Sequence, residues 1–579
     1  MKNRWGLPLF LLVVIAIIIM GFAADADEPK SEHTNQNQSA PEWTDEFEVT
    51  YSPDLVDDSR VYEKDRINQV DYLYLTILPV KPGAKDHTTW GDLNEKDYTW
   101  NATDTPRLNI VFQQGDADGP AAGEFGWGET TANATITIRG RSSRRAPQKS
   151  YKVRLYDNAG YWNNQKVINL SKSPYDLTRI RHKLSFDYFQ LMPDFASVRT
   201  RFTHVFVKDL SSGQVNAEFV DYGLFTQLEQ VNKLYLRSHG FDPYGHLYKA
   251  NYFEFFRYED NLRLKTDPLY DEALFESHLQ IEGDDNHTKL LTMLDDVNDL
   301  TKDFQAVFDT YFDRDNFLTW TALNIIFDNA DTTTQNYYLY SPLNSNKWFF
   351  LPWDYDKGWG GTLLDDFETE RGPMWQRGLS NYWGMVIHRR FFKIPGAIEL
   401  LNEKIDSIMT IVTEGQTRAF IDSYREVIDP IILSEPDIAY LPGTVEEYKS
   451  WMEHLPLEPQ RQLQEYYEYL ERPLPIFLGE VVQSNAQLQF QWDHSYDFQG
   501  DPLTYELFIA EDYTFDTIIK HEDNLQVSSL TMDVLPPGTY YWRVMVRDVH
   551  GNMMEPFDYY IDPVNGNTYK GMKQFEVTP

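Results

Sequence analysis

The chain has no cysteine in 579 residues. Disulfide staples, thiolate-held zinc or iron–sulfur centres and a cysteine nucleophile are therefore excluded. An exported protein manages without disulfides when its domains are large enough to bury real cores. Positive charge is also scarce: 52 Lys and Arg stand against 89 Asp and Glu, for a formal net charge of −37. A field of that sign repels phosphate backbones, so no nucleic-acid partner is expected, and it favours solubility in an exterior compartment. Common hydrolase and nucleotide signatures are missing too. The 13 histidines form no HExxH or other metal-spaced pair, and the chain has no GxSxG elbow and no GxxxxGK[ST] loop.

What is present starts with an apolar run at residues 7–22, behind Lys2 and Arg4 and ahead of Ala23-Ala24-Asp25-Ala26. Charge, length and small-residue flank make it an export signal. It falls slightly short of the roughly 17–25 residues of a membrane span. Cleavage near Ala24 or Ala26 and retention as an N-terminal membrane anchor are both compatible with it. A polar spacer without periodicity follows. Aromatic residues make up 15% of the chain, ample for a sizeable core, and the length predicts more than one domain at roughly 100–200 residues each.

Alternating segments at 72–78, 108–113, 134–139, 150–156, 197–207 and 222–228 read as strands, with a helix at 184–191 and a helical run opening at Glu229. A loop is expected between 78 and 108. Residues 139–149 form a turn carrying five cations in an otherwise acidic protein, which points to an anion-binding hairpin rather than a merely solvated loop. The region 267–313 is helical and acidic. Asp315 is expected to cap a helix with Phe317, Leu318, Trp320, Leu323 and Ile326 on its buried side. Amphipathic helices over 383–470 end at ERPLPIF, whose prolines stop them.

The stretch 329–361 organises the rest: NADTTTQNYYLYSPLNSNKWFFLPWDYDKGWGG. Two strand-like runs, 337–340 and 347–351, separate Asp331 and Asn336 from Asp354 and Asp356. A hairpin there brings both acidic clusters to one end of a sheet, where hard-cation ligands and a carboxylate base can converge. Phosphoryl transfer asks for that equipment: a carboxylate near the attacking hydroxyl, metal ligands, and cations on phosphate oxygens. Asp331 and Asn336 have the Asp-x4-Asn spacing of a kinase catalytic loop, and Asp354 follows the next strand, where a kinase places a further metal ligand.

In chain order, IRGRSSRRAPQKSYKVRL, YGLFTQLEQVN, GHLYK, DNFLTWTALNIIFDNAD, QNYYLY, KWFFLPWDYD and ERPLPIF resemble the CotH family of atypical secreted protein kinases over residues 72–477. That resemblance implies an α+β, protein-kinase-like fold with a mixed sheet and a helical lobe. It also implies ATP, Mg²⁺ or Mn²⁺, and transfer to Ser or Thr of secreted or surface proteins, Ser/Thr-rich ones above all. Carried over, Asp331 is the catalytic carboxylate, with Asn336 and Asp354 as metal ligands. Arg139, Ser142 and Ser143 lie along the phosphate-covering turn. Lys149 is the first choice for the phosphate-binding lysine, with Lys152 and Arg154 as rivals because strand alternation sends Lys149 and Lys152 to opposite faces. Glu229 orients a cation, and Lys249 is a second cation near the cleft. Two positions depart from the family: Gln335 stands where a histidine is usual, and Arg141 interrupts the customary Arg-Gly-Asn-Ser turn. Asp328 is expected to be structural at its helix end. Asp356 is either a ligand or a solvated turn residue. Trp353 and Trp359 either pack or stack on substrate, and Tyr337, Tyr338 and Tyr340 belong to core and sheet.

From 479 onward short alternating strands at sandwich spacing, with DPLTYELFI and LPPGTYYWRVMVRD, resemble fibronectin type III modules. The expected plan is an export segment 1–26, a linker 27–45, a kinase-like domain 46–478 and an all-β module 479–579. The expected address is extracellular or cell-surface. The alternative function is a catalytically weak adhesion or matrix-assembly protein on the same scaffold.

Overall fold

The computed structural model describes residues 51–579 apart from 81–86, 97, 99–104, 194, 215, 361–371 and 485. The apolar run at 7–22 and the spacer after it lie outside the described residues. Among the described residues no helix is long and apolar enough to cross a membrane.

The first unit is a closed sheet. Its strands are β1 (Val70–Ile77), β2 (Leu108–Asp116), β3 (Ala134–Arg139), β4 (Ser150–Leu155), β5 (Val167–Ser171), β6 (Thr200–Asp209) and β7 (Val220–Glu229). They follow the order β1-β6-β7-β5-β4-β3-β2, and β2 pairs back onto β1. The β1–β6 pair is parallel; the other pairs in this ring are antiparallel. Period-two alternation fills the interior with Leu73, Leu75, Ile110, Phe112, Ile136, Ile138, Val153 and Leu170. The same alternation turns Arg139 on β3, and Lys152 and Arg154 on β4, away from that core. β7 runs one residue further than the sequence pattern suggests. Glu229 pairs with Ile168 and closes the strand instead of opening a helix. The next helix starts at Lys233 behind Asn232, whose side chain accepts the Leu234 and Tyr235 N–H groups.

A second sheet holds the organising stretch. β8 (His246–Asn251), β9 (Leu279–Ile281), β10 (Gln335–Ser341) and β11 (Phe349–Pro352) lie in the order β9-β8-β10-β11, with Tyr338 opposite Leu351 and Leu339 opposite Phe350. β10 and β11 are apolar on both faces because both faces are covered. One cover is the helix Arg314–Ile326, where Trp320 stacks on Phe350 at 4.5 Å. Asn316 also clamps the Phe350 backbone, accepting its N–H at 2.7 Å and donating to its carbonyl at 3.1 Å. This helix is capped by Asp313, which has extended backbone and accepts the Asn316 N–H. Asp315 sits in the first turn and pairs with Lys404 at 2.8 Å. The acidic region before it is broken into the helices Glu272–Glu276, Thr288–Asn298 and Phe304–Tyr311. The segment expected to be a loop after β1 includes the short helix Trp90–Glu95, closed by a Thr89–Asp92 capping box.

The C-terminal segment is all strand: β12 (Val482–Ser484), β13 (Gln487–Gln491), β14 (Thr504–Ala510), β15 (Ile518–Leu525), β16 (Ser529–Asp533), β17 (Gly538–Arg547) and β18 (Lys573–Val577). One sheet runs β12-β13-β16 and another β15-β14-β17, with β18 beside β17. Leu488, Phe490, Leu507, Ile509 and Trp542 form their common core. This unit sits on the helical region through Trp383, which stacks on Tyr496 at 5.6 Å and meets Phe498 edge-on.

Candidate active site

Asp331 stands in the short 3-10 turn Ala330–Thr332 that links the Arg314–Ile326 helix to β10. Its carboxylate accepts the Asn336 amide at 3.0 Å and the Gln335 amide at 3.0 Å, and the Lys357 ammonium lies 3.5 Å away. Burial raises the Asp331 carboxyl above its usual range, Lys357 pulls it back down, and Asp354 raises it further. Asn336 and Asp354, at the two ends of the hairpin, both have left-handed backbone, with φ of 63° and 62°. Non-glycine residues in that region carry strain, which concentrates where side-chain direction matters.

Asp354, Asp356 and His182 offer donor atoms that all lie within 4.8 Å of one another. His182 comes from the helix Arg181–Phe189, far away in sequence. The Tyr355 N–H donates to its Nδ1 at 3.2 Å, and its Nε2 faces Asp354 Oδ1 at 3.5 Å. Burial drives His182 down to about 4, although Asp354 opposes this. The ring is therefore neutral, with its proton on Nε2 because Nδ1 accepts, and it steers the Asp354 carboxylate. Asp356 is pushed well above the carboxylate range by burial, then by Asp354 and Asp331. Three mutually repelling carboxylates with the Asn336 side chain beside them suit a hard divalent cation, which relieves the repulsion.

Cations lie beside the acids, Arg139 from the closed sheet and Lys249 from β8 of the hairpin's own sheet. Arg139 lies over Trp353 at 5.9 Å and Lys249 over the same ring at 5.4 Å. Arg139 feels the charges of Asp354 and Asp356. Burial lowers Lys249 to about 8; Asp354 resists that shift, while Lys152 and Arg139 add to it. Lys152 and Arg154 line a cavity of about 500 Å³ between the two sheets, together with Gln230, Lys265, Glu276, Glu282 and Asp285. Arg139, at the head of the basic turn, thus lies beside the acidic hairpin, whereas the cavity lining includes none of Asp331, Asn336, Asp354 and Asp356.

The structure brings Asp331, Asn336, Asp354, Arg139 and Lys249 together. Other expected residues serve elsewhere. Lys149 is buried and donates to the Arg144 carbonyl at 2.7 Å, bracing the turn, and Lys152 is the strand lysine that lines the cavity. Ser142 precedes and Ser143 opens the 3-10 turn Ser143–Arg145; the Ser142 carbonyl accepts the Tyr175 hydroxyl. Glu229 is buried and accepts His239 Nε2 at 3.0 Å and the Arg199 N–H at 3.2 Å, so it belongs to a structural network with Asp57. Trp353 is buried against Arg139 and Lys249, and Trp359 against Tyr188 and Phe327. Asp328 faces Arg377, Arg461, Glu458 and Glu465 rather than the cluster. Sequence reasoning missed His182 and Lys357. His182 has no metal-spaced neighbour to reveal it; Lys357, directly after Asp356, was legible as a cation beside the acids.

Comparison with protein families matches residues 136–469 to the family described as CotH kinase protein. The inner spore coat protein H of Bacillus subtilis (strain 168) is 25% identical over 303 residues, covering 52% of this chain and 78% of that protein. Among solved structures, the Shewanella oneidensis MR-1 toxin–antitoxin system HipA, HipB and operator DNA complex aligns over 66% of this chain and 68% of that one. Its identity is 11% and its TM-score 0.23. Surface layer protein SbsC, domains 1–6, aligns over 34% and 26% at 10% identity and a TM-score of 0.12. Scores that low support no argument about fold or chemistry.

Proposed function

Because the chain belongs to the CotH kinase protein family, we propose that it is an exported phosphotransferase that uses ATP with Mg²⁺ or Mn²⁺ and acts on Ser or Thr of secreted or surface proteins. The observation that carries this reading is the convergence of Asp331, Asn336, Asp354 and Asp356 with Arg139 and Lys249 beside them. Asp331, made more basic by burial, accepts the proton of the attacking hydroxyl. Lys357 keeps that carboxylate oriented and tuned. Asn336, Asp354 and Asp356 would hold the cation, and His182 orients Asp354. A bound divalent cation neutralises charge on the phosphates. Arg139, Lys249 and Lys152 bind the phosphate oxygens, with Lys152 in the place first given to Lys149.

In this reading residues 1–26 export or anchor the chain, 27–45 form a linker, 46–478 are the kinase-like domain, and 479–579 are a fibronectin type III-like module. The relative named for the inner spore coat fits a surface address.

The test is phosphate transfer from labelled ATP, with Mg²⁺ or Mn²⁺, to the protein itself and to Ser-rich peptides. Asp331→Ala and Asp354→Ala should abolish it with folding intact. No labelling, together with partner binding that survives Asp331→Ala, would identify a surface binding protein on the same scaffold.

A further inference from the structure

The C-terminal unit holds a second acidic cluster, unrelated to the hairpin. Asp497, Asp501 and Asp548 each offer a carboxylate oxygen, all within 4.8 Å of one another. They come from two loops of the same frame, Asp497-Phe-Gln-Gly-Asp501 and Asp548-Val-His-Gly-Asn552. Asp497 Oδ1 accepts the N–H groups of Gln499 and Asp501, and Asp548 Oδ1 accepts those of His550 and Asn552. Asp497 and Asp548 thus each commit Oδ1 to their own loops. Asp548 Oδ2 takes the Asn552 amide at 2.7 Å. Asp497 is only 6% exposed, and its Oδ2 is buried without a hydrogen-bond partner. A buried carboxylate oxygen with nothing to bind is costly and points to a missing cation. The His550 ring faces the cluster, 3.2 Å from Asp501 Oδ2, and is itself largely exposed.

We propose that these three aspartates form a divalent-cation site of Ca²⁺ type. The donors are hard carboxylate oxygens on loops, which suit Ca²⁺ better than softer metals. The same loops grip the helical region. Tyr496 and Phe498 pack on Trp383, the Tyr496 carbonyl accepts the Leu474 N–H at 2.8 Å, and the Asn552 amide reaches the Glu471 carbonyl at 3.0 Å. An ion here fastens the C-terminal unit to its neighbour, whatever the hairpin site does.

The test is titration of the chelator-stripped full chain with Ca²⁺ by calorimetry and with Tb³⁺ by luminescence, alongside melting temperature and limited proteolysis around 471–482. The expected result is a Ca²⁺ site that raises the melting temperature and protects the junction. Asp497→Asn and Asp548→Asn should weaken it about tenfold or more, whereas Asp354→Asn should leave it in place. Half-buried Asp501→Asn is the second variant should either of the first two fail to fold. No Ca²⁺ binding, binding abolished by Asp354→Asn, or binding unchanged in folded Asp497→Asn and Asp501→Asn would each overturn the proposal.

Discussion

Asp328 and Asp331 are near neighbours in sequence with opposite tasks. Asp331 shares its carboxylate among Asn336, Gln335 and Lys357. Asp328 is half-buried, and desolvation raises it to about 7, with Arg377 opposing the shift and Glu465 adding to it. A carboxyl raised in the folded state contributes stability that is complete below its unfolded value of 3.8 and is lost as pH rises through about 7. Asp328→Asn should therefore melt higher than the parent at pH 8, with the gap closing toward pH 4, as read by thermal denaturation across that range. On the proposed function, Asp331→Asn should cut phosphate transfer by roughly 10²–10⁴-fold with little change in melting temperature. Lys357 lowers the Asp331 carboxyl, so Lys357→Ala should move the acidic limb of the pH–rate profile upward. A profile that falls in height without moving would show that Lys357 does not tune this group.

At the scale of elements, β7 shows why one glycine is required. Gly223 has φ of 75°, and a Cβ there would overlap the Asp437 carboxylate. That carboxylate accepts the Leu224 N–H and pairs with buried Lys172 at 2.6 Å, tying the closed sheet to the helical region. Gly223→Ala should destabilise by roughly 2–4 kcal/mol from strain and displacement of this buried pair, measured by denaturant unfolding. The other end of β7 meets His239, held between Asp57 at 2.6 Å and Glu229 at 3.0 Å. Burial alone would lower this imidazole, but Glu229 and Asp57 outweigh it and raise the group to about 9. Its contribution is complete below its usual 6.5 and is lost as pH rises through about 9. His239→Ala should cost roughly 3–5 kcal/mol near neutrality by removing the cation that buried Glu229 and half-buried Asp57 share, and that difference should shrink above pH 9.

At the scale of the whole molecule, the site lies between a closed sheet that carries Arg139 and Lys152 outward and a covered sheet that carries the acids at its end and Lys249 beside them. Each contributes half the chemistry, so the site depends on their docking. The C-terminal unit meets the helical region through Trp383 and through Trp375 against Phe557 at 5.1 Å. Trp383→Ala should raise hydrogen exchange in residues 378–396 and 493–499 while leaving the core of the closed sheet protected.

Sequence alone determined the strand pair around 337–340 and 347–351, the acids at its end, the opposite faces of Lys149 and Lys152 and the all-β character of the C-terminal segment. These follow from local alternation, turn residues and spacing, which act over a few residues. Choosing Lys152 over Lys149 as the cleft lysine needed to know which face of β4 is the barrel core, and alternation gives parity without direction. Glu229 looked like the start of a helix because local propensity cannot register that β5 and β6 continue the ladder beside it. His182, the entry of Asp356 into the acidic cluster, and the meeting of Asp497 with Asp548 were decided only by tertiary structure. His182 with Asp354, and Asp497 with Asp548, join segments far apart in the chain, and the direction of Asp356 depends on what surrounds its turn; both are set by how sheets and helices pack, which no local pattern encodes.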